Sequence, residues 1–187
     1  MTMTTLDRKL VDAFTSGELD RPGEAALAEQ VARLLPYHWT LPNSATSALS
    51  QLTKHLGGPE ALDAWLDSYP GRPRVVVRTY RLIGLLDQLT DRPAIVTALV
   101  ELRAQAGEPP GMEGYLMPDT SDDTLGSLAE QIELLLAEDS PEDVLRLARS
   151  TADVLHRLLA RALELDPSLS DLGKDLEQIR QDLAATS

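Results

Sequence analysis

A chain of 187 residues is long enough for one domain with a sizeable core and short for two, and 43% apolar with 25% charged residues is the composition of a globular protein. Thirty acidic against 17 basic residues leave a net charge of -13. That excess argues against nucleic-acid and anionic-membrane partners, both of which are held by clustered cations, and the absence of cysteine removes disulfides, thiolate metal ligands and thiol nucleophiles together.

The N-terminal stretch "MTMTTLDRKLVDAF" carries charges without an apolar h-region, and no run of about 18 apolar residues occurs. Neither secretion nor membrane insertion is expected, and the chain reads as cytoplasmic. Fourteen Arg against three Lys fits a GC-rich genome.

Taken in order, the long segments follow the period of a helix. Leu6, Leu10 and Phe14 recur every four residues behind Thr4, which with Asp7 forms a capping-box pattern. Leu27, Val31 and Leu34 make a second stripe, stopped by Pro36. A corner follows in which Pro36 and Pro42 bracket Tyr37, His38 and Trp39. Leu49, Leu52 and Leu56 share the next face, ended by Gly57 and Gly58. Leu62, Trp65, Leu66 and Tyr69 follow at i, i+3, i+4 and i+7, ending at Pro70.

A central helix is expected over 73–89, where "RVVVRTYRLIGLL" continues at helical period what could begin as a strand. Pro93 opens another helix, closed by Gly107. The stretch 107–122, "GEPPGMEGYLMPDTSD", holds three Gly and three Pro, and connections of that length are uncommon unless functional, so it is a candidate lid. "LGSLAEQIELLLAE" resumes the pattern. Ser140 and Pro141 then open the longest helix, about 37 Å by its period, lined by Val144, Leu147, Ala148, Thr151, Leu155 and Leu158. Over 169–185, Leu172, Leu176, Ile179 and Leu183 form a narrow seam suited to docking or dimerisation. The fold expected is all-α, a single domain over 1–187 built as a bundle of about nine helices.

Arg74, Arg78 and Arg81 raise the functional question. At i, i+4 and i+7 they occupy about a 60° arc of an otherwise mostly apolar helix. Guanidinium stays charged and is costly to desolvate, so the stripe must face water, carboxylates or a bound anion. Its first reading is an ion-pair seam with acids of neighbouring helices such as Asp63 or Asp67. Its second is a pocket for a carboxylate or phosphate, with Tyr80 beside it. Asp119, Asp122 and Asp123 could gather a divalent cation, but capping of the next helix suits them better.

Among the histidines, His55 sits where a cation favours a helix C-terminus, and His156 with Asp153 lies on a polar edge. His38 could move a proton at a pocket mouth. No metal site and no cofactor are expected, and no nucleophile-elbow, P-loop or dinucleotide motif occurs.

Two functions remain open. One is a small-molecule-binding protein or cofactor-free enzyme for cyclisation, isomerisation or elimination. Arg74, Arg78, Arg81, Trp39 and Tyr115 would hold an anionic ligand there, and His38 and Tyr80 would serve the chemistry. The other is an acidic interaction module or homodimeric adaptor.

Overall fold

The computed structural model describes residues 6–105, 120–137 and 140–187, with side chains at all of these except 38, 39 and 120–124. The fold is all-α: the described residues form nine α-helices and two short 3₁₀ helices, with no strand. In order these are α1 (Arg8–Thr15), α2 (Arg21–Leu34), a 3₁₀ helix (Leu35–Thr40), α3 (Asn43–Leu56), α4 (Pro59–Asp67) and α5 (Arg72–Thr90). There follow α6 (Pro93–Gln105), α7 (Thr120–Ala137), α8 (Pro141–Leu165), a 3₁₀ helix (Pro167–Leu169) and α9 (Ser170–Ala184). Among the described residues no helix is long and apolar enough to cross a membrane.

The boundaries follow local chemistry. Asp7 caps α1 by accepting from the Lys9 amide at 2.9 Å, so the capping residue expected at Thr4 is displaced by three positions. Asp20 caps α2 in the same way through the Gly23 amide at 2.8 Å. Gly57 ends α3 at φ 111°, left-handed backbone that an L side chain resists, with its N–H returned to Thr53 and Lys54 carbonyls. Helix α7 opens at Thr120, which places Asp122 and Asp123 inside it and removes both as caps.

Contacts within the chain gather into two compact units. Unit 1 comprises Met1–Arg78 with Leu136–Pro141, and unit 2 comprises Thr79–Leu135 with Glu142–Ser187. The core of unit 1 is built on Leu27, Leu34, Leu52 and Leu66, the leucines that the periodicity places inward. Phe14, Trp65 and Tyr69 lie against that core as a ladder of rings with successive centroids 5.4 Å apart, and His55 turns its ring edge-on to Phe14.

In unit 2, Leu82, Leu86 and Leu89 of α5 are buried, as are Leu125 and Ile132 of α7 and Leu155 and Leu158 of α8. Helix α9 closes this unit with its leucine seam. Leu176 and Leu183 are each 1% exposed and Ile179 is buried. Gly173 lets α9 approach α8, since a Cβ there would lie 3.3 Å from Leu159 Cδ2 and 3.4 Å from Leu163 Cδ1. The stripe that suggests docking or dimerisation is therefore covered inside its own unit, and pairing with a second copy through it would require that core to open.

Candidate functional site

Helix α5 is built as its sequence implies. Val75, Val76 and Val77 are buried, with Arg74 before them and Arg78 and Arg81 after them. In unit 1, Arg74 Nε donates to the Asp67 carbonyl at 2.8 Å and Arg78 Nε to Asp67 Oδ1, also at 2.8 Å. Asp67 is the last residue of α4, so it offers a helix-terminal carbonyl without an intrahelical donor and, in the same place, a carboxylate that the helix dipole disfavours. Two guanidinium groups offset both. Arg78 is only 15% exposed and Asp67 25%, so this pair is screened far less than a surface one. Arg72 extends the pattern toward Glu29 at 3.0 Å, and Arg33 shares that carboxylate.

The third arginine behaves differently. In unit 2, Arg81 Nη1 stands 3.6 Å from Asp182 Oδ2 of α9, a loose pair in which the arginine is 39% exposed. The other carboxylate oxygen of Asp182 accepts from an unexpected partner, none of whose neighbours the stripe reveals: the Gln178 amide lies 3.0 Å away. Arg74 and Arg78 thus converge on one residue, and Arg81 turns to another.

Tyr80 is half-buried, and its hydroxyl is pushed up to about 12, by burial first and then by the charge of Glu133. At neutral pH it is a proton-bearing donor and no base. The side chains of His38 and Trp39, and all of Tyr115, lie outside the described residues, as does 106–119, most of the expected lid. Tyr37 of the same proline-bracketed corner donates its hydroxyl to the Ala137 carbonyl at 2.8 Å within unit 1. His156 is exposed, and Asp153 is held by Arg180 at 3.1 Å. Among the described residues no group of His, Asp or Glu is arranged to hold a metal ion.

Two open grooves flank α9 in unit 2. One, about 350 Å³, runs between α5 and α9 and is lined by Arg81, Gly84, Leu85 and Gln88 on one side and Asp175, Gln178, Ile179 and Asp182 on the other. The second, about 320 Å³, lies between α8 and α9, where Arg180 bridges Asp153 and Glu177. At its end Arg149 Nε donates to the Leu183 carbonyl at 3.0 Å, and its Nη2 reaches the Thr186 carbonyl, so one side chain of α8 caps the C-terminus of α9. Neither groove is evident from the arginine stripe. The signals that could have pointed to the first are Gly84, a glycine in a helix interior, and the spacing of Asp171, Asp175, Gln178 and Asp182 at helical period beside the leucine seam.

Comparison of the chain with protein-family models, with curated proteins and with solved structures yields no match. Charge is the property that sets the two units apart. By sequence, unit 2 spans 19 acidic and nine basic residues, and unit 1 eleven and eight. Ten of the thirteen excess negative charges therefore belong to unit 2.

Proposed function

We propose that the chain is an acidic helical interaction module that recruits a basic protein partner through unit 2. The observation that supports this reading is the uneven charge: unit 1 is close to neutral while unit 2 carries most of the excess, and a field of one sign on one unit steers and orients a partner of the opposite sign. The arginines that would have favoured a pocket for an anion are engaged at positions 74 and 78 by Asp67. A test uses two fluorescein-labelled 18-residue amphipathic peptides, one of Leu, Ala and Lys and its twin with Glu in place of Lys. Fluorescence anisotropy is expected to show binding of the Lys peptide that weakens as salt rises, with none of the Glu twin. Equal binding of both, or of neither, contradicts the reading.

A second reading keeps the small-molecule site and moves it to Arg81. It is favoured by the loose 3.6 Å pair at the edge of a groove whose volume, about 350 Å³, lies at the lower end of ligand-pocket sizes. Arg81 would hold a carboxylate or phosphate group there. Its test is the melting temperature with inorganic phosphate or succinate added: a rise in the wild type that Arg81→Ala abolishes supports it, and no rise counts against it.

A further inference from the structure

Resting on the interaction reading above, we infer that the groove between α5 and α9 seats a basic amphipathic helix against Gly84. The starting point is a glycine the chain itself does not use. Gly84 lies well inside the 19-residue helix α5, where glycine weakens the helix relative to alanine. Its φ is not positive, so the backbone does not demand it, and a Cβ placed there meets nothing within 4 Å. Gly173 gives the contrast, because there α8 supplies close neighbours that a side chain would press against. At Gly84 the space stands open to solvent, in the groove. A bare stretch of helix surface lets another backbone approach closely, which is how small residues serve helix–helix contacts.

The remaining lining specifies what approaches. Leu85 and Ile179 lie buried at the bottom of the groove, and Gln88 and Gln178 line it beside them. Along α9 the wall carries Asp175 and Asp182, with Asp171 one turn before them, and exposed Asp87 of α5 and Asp91 just past its end lie beyond Gly84 in sequence. The cations beside them already have acids: Arg81 faces Asp182, and Lys174 faces Asp171 at 3.4 Å. Asp175 is exposed and has no ion-pair partner among the described residues. A second copy of this chain would bring acids against these acids, whereas a helix with Lys or Arg along one edge answers the acids and lays its other, apolar edge over Gly84.

The experiment joins stability to binding in the full chain, with the Lys peptide and its Glu twin as probes. Gly84→Ala is expected to melt at or above the wild-type temperature, because nothing inside the chain fills the gap, and to bind the Lys peptide more weakly. Gly84→Trp, which fills the groove, is expected to lose about tenfold or more in affinity. A purely architectural glycine would not give greater stability with poorer binding. A lower melting temperature for Gly84→Ala overturns the proposal, since the chain would then need the gap itself. Selective binding of the Lys peptide that neither substitution changes removes the groove and leaves the acidic module standing. Failure of the wild type to bind the Lys peptide overturns both. A wild-type dimer in sedimentation that Gly84→Trp dissociates assigns the groove to a second copy and also overturns the proposal.

Discussion

Asp67 shows how one residue settles a question that a pattern leaves open. The arginine spacing on α5 is legible in the sequence, and so is Asp67 as an acid near it, because only seven and eleven residues separate Asp67 from Arg74 and Arg78. The partner of Arg81 is not legible in that way. Asp182 lies about a hundred residues further on, and hydrophobic period tells which face of a helix is buried without telling which helix covers it. Replacing Asp67 takes the carboxylate from the half-buried Arg78 while Arg74 keeps the main-chain carbonyl, so Asp67→Ala is expected to lower the free energy of unfolding by about 1.5–3 kcal/mol in urea denaturation. A loss under about 0.5 kcal/mol would mean that Arg78 is satisfied without the carboxylate and that the pair is ornamental. Tyr80 yields a pH dependence of known sign. Its folded-state pKa is raised from 10.0 to about 12, so the fold favours the protonated phenol. That contribution is intact below pH 10 and is lost as pH rises through the window from 10 to about 12. Tyr80→Phe should flatten the fall in stability over this range, measured by denaturation at fixed pH steps.

At the scale of elements, punctuation carries most of the information. Pro36, Gly57, Pro93 and Pro141 mark ends and starts that the structure places within a residue or two of where the side-chain chemistry puts them. The cap of α1 is misread because Thr4 and Asp7 both suit an N-cap, and only backbone geometry chooses Asp7. The seam of α9 is visible as an apolar stripe, whereas the helix that α9 approaches is not, since Leu159 and Leu163 of α8, which stand beside Gly173, are remote from the stripe's own pattern. The Arg149 clasp escapes sequence reasoning altogether, because its acceptors are main-chain carbonyls and every residue has one. It leads to a localised expectation. Arg149→Ala should raise amide exchange in the last turn of α9, around residues 181–186, while the amides of α5 exchange as before. Unchanged exchange at that turn would show that the helix end is held by its leucines alone.

At the scale of the whole molecule, the total charge is plain in the sequence, but its distribution is not. Acids are spread along most of the helices, and the excess becomes localised only when contacts divide the chain at residues 78 and 79 and again at 135–136 and 141–142. The all-α fold is fully legible, since nine segments share one period; the site is legible only as a list of candidates, because a groove is made by two helices and each stripe describes one. Unit 2 as the working surface is the account's central claim, and a charge exchange between units tests it most directly. Asp171→Lys with Asp175→Lys in unit 2, and Glu18→Lys with Glu60→Lys in unit 1, change the net charge equally at exposed positions. Binding of the Lys peptide should weaken about tenfold or more for the unit 2 pair and by less than about twofold for the unit 1 pair. Equal losses for the two pairs, or a greater loss for the unit 1 pair, would contradict it.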